Sequence, residues 1–124
     1  MDFPTHLYID GALAKGTGQR DIINPATEEV LVTVSTAGFD DVERALQAAS
    51  AAFPAWAATS VATRQMWMRR LRDEVIANET FLRDCVHNEM GKPWAQTEED
   101  WDRLVVSLDF YAEEIARISD YGIT

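Results

Sequence analysis

Apolar positions change their spacing partway along the chain, from alternation to helical recurrence. Between residues 7 and 34, short β-branched and aliphatic runs alternate with polar residues and are separated by turn residues, which is typical of strands. Asp10-Gly11 and Asn24-Pro25-Ala26-Thr27 mark two of the turns. The pattern therefore predicts strands joined by tight turns at about 7–34.

From about residue 40 onward, apolar side chains recur every three or four positions, which predicts amphipathic helices. The predicted helices cover about 40–53, 60–90 and 97–119. Asp40, with Glu43 three residues further on, matches the pattern of a capping box at the start of the first helix. We therefore expect this helix to begin at Asp40.

Residues that favour helix starts, breaks or ends predict the other helix boundaries at four sites. Pro54 ends the first helix or starts a fresh turn, and Thr59-Ser60 caps the second. Asn78 predicts a break or kink within 60–90, so the number of packed helices is three to four. Gly91 suits the left-handed position that follows a helix, and a proline comes soon after it.

The order of these elements predicts an α+β fold, with amino-terminal β-hairpins followed by three to four packed α-helices. No predicted strand alternates with the helices. A complete Rossmann unit is therefore excluded, because it needs parallel strands joined through helices. We treat residues 1–124 as one segment, since this length corresponds to at most one ordinary domain.

The charge balance limits the classes of partner. The formal net charge is −10, which disfavours nucleic acid and anionic membrane surfaces as partners. No apolar run approaches the roughly 18 residues needed to span a bilayer, so we expect a soluble cytoplasmic protein. The basic group Arg69, Arg70 and Arg72 is expected to form ion pairs with nearby carboxylates or with the acidic carboxy-terminal helix.

The reactive side chains do not form a catalytic constellation by sequence. Cys85 is the only thiol, and His87, two positions away, points to a different side of the helix. Cys85 falls on an apolar stripe, so we interpret it as a buried small hydrophobe. We expect His6 and His87 to be surface histidines, because they lack the spacing of a zinc site.

Two further patterns have structural interpretations. Gly16-Thr17-Gly18 lacks the third glycine and the following helix of a dinucleotide-binding turn, so we expect a hairpin loop. Glu98, Glu99, Asp100 and Asp102 lack the glycine turn of a calcium loop, and we expect a solvated helix start. The residues alone thus specify no catalytic or cofactor-binding site.

A resemblance to a known family rests on motifs spread along nearly the whole chain. In order, they are Leu7-Tyr8-Ile9-Asp10-Gly11, Ile23-Asn24-Pro25-Ala26-Thr27, Ala52-Phe53-Pro54-Ala55-Trp56, Glu89-Met90-Gly91-Lys92-Pro93 and Phe110-Tyr111-Ala112-Glu113. Their order and spacing resemble the amino-terminal segment of the aldehyde dehydrogenase superfamily. The last two motifs are most similar to the succinate-semialdehyde dehydrogenase branch.

The resemblance implies a parent chemistry: oxidation of an aldehyde to a carboxylic acid with NAD or NADP. It also implies that the catalytic cysteine, the general base and the cofactor loop lie beyond the point that matches Thr124. We therefore expect part of the family's cofactor domain, a scaffold that is inactive alone and binds no NAD by itself. The alternative is a stand-alone acidic helical interaction or regulatory module.

The resemblance also implies a monovalent-cation site. Its ligands would be the backbone carbonyls of Ile22 and Ile23 and the carboxylate of Glu89, where the family commonly has Asp. The alternative interpretation of Glu89 is an exposed carboxylate near a helix end.

The implied partner is the rest of an aldehyde dehydrogenase chain. Without it, we expect Trp101, Tyr111 or the strand Val30–Val34 to be partly exposed, or to be covered by self-association.

Overall fold

The computed structural model describes residues 4–119, and the chain divides into two compact units, Met1–Ala58 and Thr59–Thr124. The first unit contains β1 (Leu7–Ile9), β2 (Ala12–Ala14), β3 (Gly18–Ile23), β4 (Val30–Thr36) and α1 (Phe39–Ala57). The second contains α2 (Val61–Ala77), α3 (Glu79–Met90), a 3₁₀ turn (Trp94–Gln96) and α4 (Thr97–Ser119). Two hairpins followed by four helices confirm the predicted α+β class.

The β1–β2 hairpin turns at Asp10-Gly11, as predicted. Asp10 has φ +52° and Gly11 has φ +75°, so both central residues are left-handed, as a two-residue hairpin turn requires. Leu7 pairs with Ala14 across the hairpin. The turn chemistry read from the sequence therefore fixes the register of this strand pair.

The β3–β4 hairpin extends past the predicted limit at residue 34, because Thr36 pairs with Gly18 at the open end of the ladder. Its turn is organised by Asn24, whose Oδ1 accepts from the Ala26 backbone N–H at 2.9 Å. The Asn24 N–H donates to the Glu29 carbonyl at 2.9 Å and closes the turn. Glu28 has φ +60° and completes the reversal in the left-handed region. The turn thus needs Asn24 as well as the proline that follows it.

Helix α1 begins at Phe39, so the predicted cap at Asp40 is wrong. Gly38 is the N-cap residue, in an extended conformation. Its backbone N–H donates to Oδ2 of Asp41 at 2.9 Å. The carboxylate three residues after the cap is therefore Asp41 and not Glu43.

The helix is capped at Gly38 instead of Asp40 because several hydrogen-bond donors surround the Asp41 carboxylate. Arg44 Nη2 donates to Asp41 Oδ1 at 2.5 Å, and the Thr17 backbone N–H also contributes. Gly38 permits this arrangement, since a Cβ there would lie 2.2 Å from Thr17 Oγ1. These donors, Gly38 first and then Arg44, lower the pKa of Asp41, whose side chain is buried.

Helix α1 continues through Pro54 to Ala57, which corrects the predicted end at residue 53. Proline lacks a backbone N–H, so one intrahelical hydrogen bond is lost at this position. The Pro54 carbonyl nevertheless accepts from the Ala58 N–H at 3.1 Å, so the next turn forms. The Ala-Phe-Pro-Ala-Trp sequence is therefore helical in this chain.

In the second unit, α2 packs mainly against α4. Ala112 of α4 is 1% exposed. The Gln65 side-chain amide on α2 donates to the Ala112 carbonyl at 3.0 Å. The small side chain of Ala112 lets the two helices approach closely at this point.

Arginines on α2 form the predicted ion pairs with the acidic helix α4. Arg69 Nη2 lies 2.8 Å from Glu113 Oε1, and Arg72 Nε lies 2.9 Å from Asp109 Oδ1. The second contact is electrostatic, because the geometry at Nε does not make it a hydrogen bond. The pair of Arg69 and Glu113 is exposed on both sides, so it contributes little to stability.

The predicted helix 60–90 is two helices, α2 and α3, interrupted at Asn78. The backbone of Asn78 is not helical, with φ −111° and ψ 23°. Its side-chain amide donates to the Glu74 carbonyl at 2.8 Å and so caps α2. Helix α3 ends at Met90, and Gly91 follows it in the predicted left-handed conformation, with φ +67°.

Apolar side chains are poorly covered in both units. Among the described residues, Ala112 is the only apolar side chain that is fully buried. Tyr111 is 56% exposed and Val30 is 54% exposed, in agreement with the expected exposure of these regions. No helix within residues 4–119 is long and apolar enough to cross a membrane.

Enlarging Ala112 tests the α2–α4 contact. We expect Ala112→Leu to lower the free energy of unfolding by about 1–3 kcal/mol, because the added atoms overpack a buried position. Ala62→Leu, on an exposed position of α2, is the matched control and should change it by less than about 0.5 kcal/mol. Urea unfolding followed by circular dichroism measures both, and equal effects would contradict the packing described.

Replacing Asp41 tests the displaced cap. Because the folded pKa of Asp41 is lowered, its contribution to stability is present above its usual value and is lost as the pH falls below about 4. Asp41→Asn should therefore lower the thermal midpoint at pH 7 and flatten its decline in acid. Asp40→Asn removes an exposed carboxylate from the same turn and serves as the control. An unchanged midpoint for Asp41→Asn would refute the assignment of the cap.

Candidate functional site

The two isoleucines of the predicted cation site lie at an irregular point of the β3–β4 hairpin. Ile22 pairs with Val32 and Ile23 with Val30, so Leu31 is an extra residue in β4. Such a bulge interrupts the regular ladder and reorients the neighbouring backbone. Ile22 and Ile23, whose backbone carbonyls are the predicted cation ligands, therefore lie at a β-bulge.

Glu89, the third predicted ligand, is the penultimate residue of α3. Its side chain is exposed, as the simpler interpretation of this residue expects. Ile22 and Ile23 belong to the first unit and Glu89 belongs to the second. The cation site formed by these three residues therefore stays a prediction.

The acidic cluster at the start of α4 has the character of a solvated helix start. Glu99 forms an ion pair with Arg103 in the next turn. Asp100 Oδ2 accepts from Lys92 Nζ at 2.5 Å. Within residues 4–119, no group of three or more histidine, cysteine or carboxylate side chains could hold a metal ion. Acids in a first helical turn are also favoured by the helix dipole.

Cys85 is only partly buried in α3, so it is less buried than the predicted small hydrophobe. Burial raises the pKa of its thiol, and the negative charges of Glu89 and Asp84 raise it further. A nucleophilic cysteine needs the opposite environment, with a positive charge or a base that favours the thiolate. The surroundings of Cys85 therefore disfavour the thiolate form that a nucleophilic cysteine needs.

His87 is half-buried, which corrects its assignment as a surface histidine. Its Nδ1 lies 2.6 Å from the Lys92 carbonyl oxygen, so Nδ1 carries the proton and donates it. The ring also contacts Trp94 edge to face, with centroids 6.3 Å apart. His87 thus holds the end of α3 to the segment that follows. His6 is exposed, as predicted.

The Gly16-Thr17-Gly18 segment joins β2 to β3 and precedes no helix. A Cβ at Gly16 would lie 2.1 Å from the Thr36 carbonyl oxygen, so this glycine permits a close backbone contact. A pyrophosphate site needs the amino terminus of a helix after such a turn. The segment is therefore a tight connection between two separate hairpins, and the predicted hairpin loop is wrong because β2 and β3 do not pair.

Arg83 links α3 to the start of α4, and the sequence pattern did not predict this role. Its side chain is 14% exposed, and its Nη1 lies 2.7 Å from Glu79 Oε1. Its Nε donates to Thr97 Oγ1 at 2.9 Å, and its guanidinium lies 4.7 Å from the centre of the Trp94 ring. The spacing of four residues between Glu79 and Arg83 was the available signal. Arg83 fixes the start of α4 against α3.

Comparison with known proteins shows which family this chain resembles. The model of the aldehyde dehydrogenase family matches residues 13–124. Glutarate-semialdehyde dehydrogenase of Pseudomonas putida is 36% identical over 98% of this chain and 25% of its own length. Succinate semialdehyde dehydrogenase [NAD(P)+] of Escherichia coli is 36% identical over 73% of this chain and 20% of its own.

Solved structures agree with the sequence matches. Succinate-semialdehyde dehydrogenase from Burkholderia pseudomallei superposes with a TM-score of 0.84 at 31% identity, over 90% of this chain and 23% of that one. The chain spans about a quarter of the length of the curated relatives it matches. With the family model covering residues 13–124, the chain belongs to the aldehyde dehydrogenase family.

Proposed function

We propose that these residues are an amino-terminal scaffold segment of an NAD(P)-dependent aldehyde dehydrogenase, which oxidises an aldehyde to a carboxylic acid. The observation that carries the proposal is the family match over residues 13–124 in a chain that spans a quarter of its relatives' length. The segment contributes architecture and is not catalytic by itself. The enzyme acts in the cytoplasm.

The chemistry of the described residues supports inactivity of the segment alone. Burial and two neighbouring carboxylates raise the pKa of the Cys85 thiol and disfavour its thiolate. The imidazole of His87 is engaged with the Lys92 carbonyl. Because nucleophilic catalysis needs an activated thiol next to a base, these groups do not supply the chemistry of the family.

Exposed apolar stripes support a scaffold role. On α1, Val42, Leu46 and Phe53 are 50%, 62% and 66% exposed and recur at helical spacing. On α4, Leu104 and Tyr111 are 41% and 56% exposed and lie two turns apart. Burying each such side chain would contribute about 1.5–3 kcal/mol. We propose that the rest of an aldehyde dehydrogenase chain covers these stripes, and that self-association covers them when it is absent.

The names of the relatives suggest the substrate class. Glutarate-semialdehyde and succinate semialdehyde dehydrogenases are among the relatives, together with an N-succinylglutamate 5-semialdehyde dehydrogenase of a Caulobacter species. We propose that the complete enzyme oxidises a semialdehyde that carries a carboxylate, with NAD or NADP as oxidant. The comparisons lend no support to a stand-alone interaction or regulatory module.

An activity assay of the isolated chain tests this proposal. We expect the purified 124-residue protein to reduce neither NAD nor NADP when succinate semialdehyde or glutarate semialdehyde is supplied. Cys85→Ser is the control, and it should give the same blank rate as the natural sequence. Aldehyde-dependent formation of reduced nicotinamide that scales with protein and is lost in Cys85→Ser would overturn the proposal.

A further inference from the structure

A polar cavity lies in the first unit, beside the loop that joins β2 to β3. Its volume is about 410 Å³, which is within the size range of small-ligand sites. The lining residues come from the approach to β1, the loop, the start of β3 and the middle of β4. They are Thr5, His6, Lys15, Gly16, Thr17, Gly18, Gln19, Thr33 and Ser35.

The cavity has an unusual charge balance for this protein. The chain has 21 acidic and 11 basic side chains, yet none of the nine lining residues is acidic. Lys15 forms no ion pair with any carboxylate among residues 4–119, whereas Lys92, the other lysine, pairs with Asp100. An uncompensated ammonium beside hydroxyl and amide donors favours a bound anion.

One carboxylate, that of Asp21, lies next to the lining. Asp21 is directly opposite Thr33 in the β3–β4 ladder. The Thr33 hydroxyl donates to Asp21 Oδ1 at 2.6 Å, so this hydroxyl is already used. The side-chain donors left for a ligand in the strands are the Gln19 amide and the Ser35 hydroxyl, which face each other across the ladder.

The loop that carries Lys15 is held on both sides. Gly16 lies so close to the Thr36 carbonyl that a Cβ would reach it. Thr17 packs over Gly38, and its backbone N–H points to the Asp41 carboxylate. The backbone at Lys15 is therefore positioned before any ligand arrives, which reduces the entropy lost on binding.

We propose that this cavity binds a phosphate group, either as inorganic phosphate or as the phosphate of a monoester, with the Lys15 ammonium as its charged contact. The Gln19 amide and the Ser35 hydroxyl donate hydrogen bonds to its oxygens. Lysine binds phosphate as a point charge, and a tetrahedral oxyanion can accept from donors on several sides. The proposal rests on the lining residues of the first unit and goes beyond the proposed function.

Titration of the isotopically labelled 124-residue protein with inorganic phosphate tests the proposal by NMR. We expect saturable shifts of backbone amides in the loop 15–18 and at Ser35, with millimolar or tighter affinity. Lys15→Met should weaken binding at least tenfold, whereas Lys15→Arg should retain it. Lys92→Met makes the same change in net charge in the second unit and should bind like the natural sequence.

A parallel titration with glycerol phosphate distinguishes the two sources of the group. Equal affinity would assign the site to the phosphate group alone, and tighter binding of the monoester would assign it to a phosphorylated small molecule. Shifts that do not saturate, or that are equal in Lys15→Met and Lys92→Met, would overturn the proposal. The Lys15→Arg variant keeps the test decisive if Lys15→Met does not fold.

Discussion

The burial of apolar surface limits how far these residues can stabilise their own fold. The sequence is 47% hydrophobic, but Ala112 is the only apolar side chain among residues 4–119 that is fully buried. Folding depends mainly on such burial, which must offset the loss of conformational entropy. Local polar contacts therefore have an unusually large role, with Asp41 at the start of α1 and Arg83 beside Thr97 as the clearest examples.

Local signals in the sequence predicted which strands, turns and helices form more accurately than the residues at which the helices begin. The turn at Asp10-Gly11 and the helix end at Gly91 depend on left-handed backbone conformations that few residues adopt, so the sequence identified both. The start of α1 was misplaced, because the true cap depends on the distant Thr17 and on the close approach that Gly38 permits. The role of His87 was missed for a similar reason, since its partner Lys92 lies beyond the helix end.

For the candidate chemistry, too, local features were predictable from the sequence, whereas features formed by residues distant in sequence were not. The structural role of Cys85 could be read from its place on an apolar stripe, and the raised pKa of the thiol agrees with that interpretation. The polar cavity beside Lys15 could not be read from the sequence, because its lining comes from three separate stretches of the first unit. Family membership supplies the parent reaction, while the exposed stripes on α1 and α4 explain why a segment of such an enzyme would need its neighbours.

Amide hydrogen exchange of the isolated chain tests the scaffold account most directly. At concentrations where the chain is monomeric, we expect amides in the middle of α1 to exchange much faster than those of α2 and α4 that flank Gln65 and Ala112. The reason is that α1 leaves Leu46 and Phe53 exposed, whereas α2 and α4 cover each other. Equal, strong protection of α1, α2 and α4 would contradict the account, because it would show that the segment is stable without a further partner.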